Sequence, residues 1–230
     1  MSVHFDTIAD DYHHQAGGTQ QAVYDDLAAW ITPLVTGKVV LDVGNGGKFA
    51  YDTALPSAVT ALDISEKMLA KISDPRVVRI VGDALKMDGI ADNSVDVVVL
   101  CLMLHHMAGR SRRESLATLK NVLMSARRTL RPGGCVLVTE TVATPLFSAF
   151  QRVAYPASYA FLAPRVGMLY FFSPQELTSA LREVFGPAAL QSRPHPIKGW
   201  LDPFPGTFPG RIKIPAWALP MRFWSYLAYV

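Results

Sequence analysis

The stretch Val39-Val40-Leu41-Asp42-Val43-Gly44-Asn45-Gly46-Gly47 decides the fold of this protein. It combines an apolar strand with a Gly-x-Gly turn, where the missing side chains let a ligand approach the backbone closely. In an open parallel sheet, ligands bind beyond the carboxyl ends of the strands. The stretch therefore predicts the first strand of an α/β sheet, with a ligand site directly after it.

Other short apolar runs alternate with helical patterns along the chain, an order typical of a parallel sheet covered on both faces. The predicted strands are 38–43, 58–63, 77–82, 95–101, 135–140 and a last one at 223–230. Helices are predicted at 5–14 and 20–32, after Ser111, where Glu114 completes a capping box, and after Ser173. We predict one domain over residues 1–230.

Acidic residues follow the second and third predicted strands. Asp63 comes directly after Ala61-Leu62, and Asp83 follows Gly82. A carboxylate at the first position can accept both hydroxyls of a ribose, and one at the second can accept from an adenine amino group. Since these strand ends share one edge of the sheet with the glycine turn, the spacing predicts a nucleoside site.

The chain resembles the class I S-adenosylmethionine (SAM) methyltransferases, especially the small-molecule branch with the ubiquinone/menaquinone-biosynthesis enzymes. The resemblance covers roughly residues 5–140, with a fainter continuation at 172–185. It rests on motifs in the family's order: Phe5-Asp6-x-Ile8-Ala9-x-x-Tyr12, Leu41-Asp42-Val43-Gly44-x-Gly46, Leu62-Asp63-Ile64-Ser65 with Met68-Leu69, Gly82-Asp83-Ala84, Asp92-Asn93-Ser94-Val95-Asp96, Leu104-His105-His106 and Leu130-Arg131-Pro132-Gly133-Gly134.

The resemblance implies a Rossmann-like sheet of seven strands, mostly parallel with an antiparallel last strand, flanked by helices. It also implies SAM as cofactor and transfer of its methyl group to O, C or N of a small acceptor. Carried over by position, the implied cofactor contacts are Tyr12, Asp42, Gly44, Gly46, Asp63, Ile64, Met68, Asp83, Ala84 and Cys101. Among these, Asp63 would hold the ribose, and Ile64 and Met68 would enclose the adenine.

One departure from the family pattern concerns the glycine turn. The family's third glycine is replaced by Lys48, and the segment after it, which contains Pro56, is too short for the usual helix. Lys48 or Asn45 is a candidate contact for the SAM carboxylate, and the alternative is that Lys48 points to solvent.

His105 and His106 close the fourth predicted strand, where the resemblance places the transferred methyl group. A histidine there can act as general base, because its ordinary pKa of about 6.5 lets it accept a proton at neutral pH. The alternative is that the pair packs and forms hydrogen bonds without entering the chemistry. We expect no metal site.

Charge is distributed unevenly along the chain. Residues 1–140 carry 14 Lys/Arg against 16 Asp/Glu, and residues 141–230 carry 8 against 3. The basic excess is scattered among apolar residues, which argues against nucleic-acid binding and favours an anionic substrate or peripheral contact with a membrane. Two cysteines without a second pair, and a start without a signal-peptide pattern, predict a cytoplasmic protein.

Two segments, 141–172 and 199–221, are predicted to cap a largely apolar acceptor. The first contains eight aromatic residues and only two charged ones, Arg152 and Arg165. Pro156 and Pro164 interrupt it, which argues against one membrane-spanning helix. Arg152, Arg165, Arg211 and Lys213 are candidate contacts for an anionic acceptor group or a membrane surface.

Two other functions compete with methyl transfer. A nicotinamide-dependent reductase shares the Gly-x-Gly turn and a following acid, but such folds usually begin at their first strand and lack an acid at the position of Asp42. The second alternative is a methyltransferase fold repurposed as a non-methylating enzyme or binding partner, which the Asn45-Gly46-Gly47-Lys48 loop leaves open.

Overall fold

The computed structural model describes residues 17–166, 168–187, 190–195, 200–201 and 214–230. The predicted helix at 5–14 and most of segment 199–221 lie outside these residues. The helices are α1 Gly17–Val35, α2 Glu66–Ala70, α3 Arg112–Thr129, α4 Pro145–Val166 and α5 Pro174–Phe185. The strands are β1 Val39–Val43, β2 Ala58–Asp63, β3 Val77–Val81, β4 Val95–Cys101, β5 Leu130–Ala143, β6 Leu190–His195, β7 Trp200–Leu201, β8 Ile214–Pro215 and β9 Met221–Tyr229.

Seven of these strands form one sheet in the order β3-β2-β1-β4-β5-β9-β6. The first five pair in parallel, and β9 runs antiparallel to both of its neighbours, β5 and β6. Buried apolar side chains cover both faces of the sheet. This arrangement confirms the predicted seven-stranded, mostly parallel sheet with an antiparallel last strand.

The capped helices form where the sequence places their caps. The Ser111 side chain accepts from the Glu114 N–H before α3, and a complete capping box joins Ser173 and Glu176 before α5. Between β1 and β2, residues 44–57 contain no helix, as the short segment with Pro56 predicts. The caps of α3 and α5 provide hydrogen-bond acceptors for backbone N–H groups at the helix N-termini, which have no partners within the helix.

Several elements differ from the predictions, mostly in their bounds. β5 begins at Leu130 rather than at 135, so the chain enters the strand before the Pro132-Gly133-Gly134 turn. β6 has no predicted counterpart. The expectation that prolines interrupt segment 141–172 is wrong for its helix, because α4 continues through Pro156. Within the described residues, no helix is long and apolar enough to cross a membrane.

Candidate functional site

A cavity of about 110 Å³, partly open to solvent, lies at the carboxyl edge of the sheet, beyond β1, β2, β3 and β4. Its wall is largely apolar and includes two aspartates and one histidine. The lining residues are Gly44, Gly46, Leu62, Asp63, Ile64, Met68, Asp83, Ala84, Leu85, Leu102, Met103, His106 and Met107. The turn after β1, the acids after β2 and β3, and the end of β4 therefore meet in one place, as the parallel topology requires.

The turn after β1 depends on glycine for both its backbone and its space. Gly44, Gly46 and Gly47 all have positive φ, at 65°, 60° and 81°. A Cβ on Gly47 would lie 2.7 Å from the Met68 carbonyl oxygen, and one on Gly44 would lie 3.0 Å from the Met103 Cε. The loop is thus packed against α2 and against the residues after β4, which leaves its backbone on the cavity wall.

Asp63 is held in place at the end of β2. One carboxylate oxygen accepts from the Ser65 N–H at 2.9 Å, and the other accepts from the Gly46 N–H at 3.3 Å. Ser65, rather than Asp63, caps α2. A carboxylate has about four acceptor positions, so this fixed group retains capacity for two ribose hydroxyls.

The acid after β3 is fixed in a similar way. Asp83 accepts from the Leu85 N–H at 2.9 Å, and its carboxylate borders the cavity beside Ala84. Across the cavity, Met68 is buried and Ile64 is partly exposed. Two apolar side chains and a carboxylate at the rim fit the edge and faces of an adenine.

Behind the Gly44 turn lie three buried polar atoms without hydrogen-bond partners among the described residues. They are Asp42 Oδ1, Asn45 Nδ2 and Tyr51 Oη. The Tyr51 hydroxyl is close enough to Asp42 to favour its charged form, although the two groups do not form a regular hydrogen bond. Unpaired buried polar groups are unfavourable, which favours a polar partner at this place.

These atoms fit the amino-acid end of SAM. An acceptor on Asp42 suits an ammonium group, and donors on Asn45 and Tyr51 suit a carboxylate. Tyr51 was absent from the sequence predictions. It belongs to the helix-free segment between β1 and β2. The sequence feature that could have drawn attention to this segment is the departure from the family pattern at Lys48.

Burial raises the pKa of the Asp42 carboxyl to about 7, against the opposing effect of the Tyr51 hydroxyl and with the help of the Asp63 charge. The folded state therefore keeps a proton that the unfolded chain releases near its ordinary pKa, and stability falls as the pH rises between these values. Asp42→Asn lacks this titration. The difference in unfolding free energy between Asp42→Asn and wild type should therefore shift in favour of the variant by roughly 2–3 kcal/mol when the pH is raised from about 5 to about 8.

Urea unfolding at the two pH values measures this difference. Asp88→Asn, a change at an exposed carboxyl, is the matched control and should show a much smaller change with pH. Equal pH dependence in wild type and Asp42→Asn would mean that Asp42 does not hold this proton.

The structure distributes the predicted site residues in three ways. Those that line the cavity are Gly44, Gly46, Asp63, Ile64, Met68, Asp83, Ala84 and His106. Asp42, Asn45 and Cys101 are buried but do not line the cavity, and Lys48 does not line it either. Tyr12 lies outside the described residues. His105, unlike His106, does not line the cavity.

His105 forms a hydrogen bond with a buried glutamate that the sequence predictions missed. The His105 Nδ1 lies 2.7 Å from the carboxylate of Glu140, which lies three residues before the end of β5. The other Glu140 oxygen accepts from the Leu104 N–H at 2.5 Å. The signal for Glu140 was an acid at the end of an apolar strand, next to the edge where the other site residues lie.

Aromatic rings surround this pair. The His105 ring stacks on Phe171, with centroids 5.6 Å apart, and lies 4.2 Å from the ring of His106 on the cavity wall. Phe171 in turn contacts Phe147 of α4, with centroids 6.1 Å apart. A neutral imidazole that donates from Nδ1 to the Glu140 carboxylate has Nε2 as its acceptor.

A protein-family model for a methyltransferase domain matches residues 41–138, from β1 to β5. Two curated relatives show low identity. A tRNA (carboxymethyluridine(34)-5-O)-methyltransferase from Arabidopsis thaliana is 28% identical over 182 residues, covering 74% of this chain and 42% of its own. The ubiquinone/menaquinone biosynthesis C-methyltransferase UbiE from Dinoroseobacter shibae is 27% identical over 136 residues, covering 54% and 50%.

The chain thus spans half or less of the length of these relatives. Among solved structures, a SAM-dependent methyltransferase from Thermotoga maritima has the same fold, with a TM-score of 0.61 and 15% identity over 99% of this chain and 98% of its own. The domain match and the fold agree with the motifs quoted above, which imply SAM as the cofactor.

Proposed function

We propose that this chain, a class I SAM-dependent methyltransferase by its domain and its fold, transfers the SAM methyl group to O, C or N of a small, largely apolar acceptor. The observation that carries the proposal is the cavity at the carboxyl edge. It joins two fixed carboxylates, Asp63 and Asp83, to an apolar wall that ends at His106.

The polar part of this cavity suits the cofactor. Asp63 would accept from the ribose, and Asp83 would accept at the adenine edge. Asp42, Asn45 and Tyr51 do not line the cavity themselves, but they lie before, in and after the glycine turn on its wall and would meet the amino-acid end. SAM supplies an activated methyl group together with its leaving group, so the protein needs no nucleophile of its own. What remains for the chain is to align the acceptor and to exclude water.

The apolar part of the cavity suits the acceptor. Leu102, Met103 and Met107 line it next to His106. The ring of His106 contacts that of His105, and the aromatic contacts continue through Phe171 to Phe147, which connects the cavity to α4 in the described part of segment 141–172. Burial of apolar surface contributes about 25 cal/mol per Å², so such walls can hold an apolar acceptor without many polar contacts.

His105 and Glu140 supply a base for acceptors that must lose a proton. The buried carboxylate orients the imidazole through Nδ1, and Nε2 is the atom that would accept the proton. This pairing of a base with a group that orients it is the usual arrangement for proton abstraction. It refines the sequence prediction: His105 is the proposed base, and His106 contributes to the cavity wall.

A panel of acceptors graded in polarity tests the proposal. With labelled SAM, we expect formation of S-adenosylhomocysteine together with an apolar acceptor that gains one methyl group, and little transfer to short polar compounds. The panel includes tRNA, because one relative carries a tRNA methyltransferase name. Preferred methylation of tRNA would overturn the apolar acceptor.

The same assay separates the alternative functions. Binding of SAM and S-adenosylhomocysteine by calorimetry, without binding of NADH, is expected and excludes a reductase. If SAM binds but no acceptor yields S-adenosylhomocysteine, the repurposed methyltransferase fold becomes the better description.

A further inference from the structure

The solvent side of α4 carries large apolar side chains in one stripe. Leu146 is 84% exposed, Phe150 is 63% exposed and Val153 is 85% exposed. Their spacing of four and three residues places them on the same helix face. Smaller exposed apolar residues, Ala149 and Ala157, lie on or beside the stripe. Large contiguous apolar surface of this kind is unusual on a monomer and marks an interaction site.

A tryptophan lies near the beginning of this stripe. Trp217 is 79% exposed and belongs to the short turn before β9. The Thr144 N–H, just before α4, donates to the Pro220 carbonyl of that turn at 2.9 Å. We call Leu146, Phe150, Val153 and Trp217 the apolar face.

The charges on α4 are of one sign. Residues 145–166 contain two arginines, Arg152 and Arg165, and no acid. Arg152 lies between Phe150 and Val153 in the sequence and is exposed. A two-fold contact between two copies through α4 would therefore bring arginines together without an acid from this helix to pair with them. The charge favours an anionic partner.

The chemistry of the face favours lipid over an acidic protein. Its four side chains offer a single hydrogen-bonding group, the indole N–H of Trp217, so a protein partner would find few polar contacts for specificity. Apolar side chains on one face, an exposed tryptophan and arginine as the only charged residue type of the helix are features of helices that lie in a membrane interface.

We propose that the apolar face docks on an anionic membrane surface, with α4 lying in the plane of the interface. α4 follows directly after β5, the strand that carries Glu140, so docking would bring the carboxyl edge of the sheet close to the membrane. This inference does not depend on methyl transfer, since it concerns a surface outside the cavity.

Cosedimentation with vesicles tests the proposal. Wild type should bind vesicles of phosphatidylcholine mixed with phosphatidylglycerol more strongly than vesicles of phosphatidylcholine alone, and salt should weaken the difference. The double variant Phe150→Ser/Val153→Ser should lose about tenfold or more in partitioning, because it removes apolar groups from the buried face. Arg152→Gln should reduce binding severalfold, and only to the anionic vesicles.

Met124→Ser is the matched control, since Met124 is an exposed apolar residue on α3, away from the apolar face. It should bind vesicles like wild type. Circular dichroism and calorimetry with S-adenosylhomocysteine verify that each variant is folded. Absence of vesicle binding by folded wild type overturns the proposal. So does a dimer in light scattering that the Phe150→Ser/Val153→Ser variant abolishes, because it would assign the face to a second copy.

Discussion

Glutamine in place of Glu140 is expected to lower the rate of methyl transfer by about 100-fold or more while SAM binding stays intact. A glutamine can still accept from the Leu104 N–H through its oxygen. Its amide nitrogen, however, would donate to Nδ1 of His105 and leave the hydrogen on Nε2, where the base must accept. Steady-state kinetics with the preferred acceptor and calorimetry with S-adenosylhomocysteine measure the two quantities.

His105→Gln should give a similar loss, and the double variant should lose little more, because the two residues act as one unit. In His105→Gln the pH–rate profile should lose the limb that reports the base, which a purely structural role would not change. His106→Gln is the neighbouring control and should keep that limb. If all three variants retain near-normal rates, the acceptor needs no deprotonation and the pair only stabilises the site.

Alanine in place of Asp63 is expected to weaken SAM binding by about 10–100-fold, since hydrogen bonds to charged groups contribute about 1.5–3 kcal/mol. The loss should be equal for SAM and S-adenosylhomocysteine, which share the ribose. Isothermal titration calorimetry measures both affinities.

Asp63 also accepts from the Gly46 and Ser65 N–H groups, so its removal affects the loop as well as the ligand. Asp63→Asn is the milder variant: its single amide oxygen can still accept from the Ser65 N–H, while the acceptor for the Gly46 N–H and the charge are lost. Asp88→Ala, at an exposed acid, controls for a general change of charge. Unchanged SAM affinity in a folded Asp63→Ala protein would remove Asp63 from the cofactor site.

The sequence was informative wherever a local pattern has one structural solution. β2 and β4 have the predicted bounds, because continuous apolar runs between turn residues leave little choice. Gly44, Asp63 and Asp83 reach one cavity because parallel strands bring their carboxyl ends to one edge. These contacts follow from topology alone.

Contacts between segments that are distant in the sequence could not be predicted from local sequence patterns. β6 contains Pro194 and polar residues, and it pairs only at the edge of the sheet, so its sequence carries no apolar alternation. The pairing of His105 with Glu140 joins residues 35 positions apart. Composition gives no sign of such a pairing, which depends on the alignment of β4 with β5.

The position of β9 between β5 and β6 has a consequence for the synthesis of the chain. On the ribosome, β1 to β5 can pair in the order in which they emerge. β6 pairs only with β9 and cannot join the sheet before residues 221–229 have been synthesised. Until then the β5 edge offers unpaired backbone groups to other chains. We therefore expect a nascent or truncated protein that lacks β9 to aggregate or to be bound by chaperones, even though its cofactor-binding half is complete.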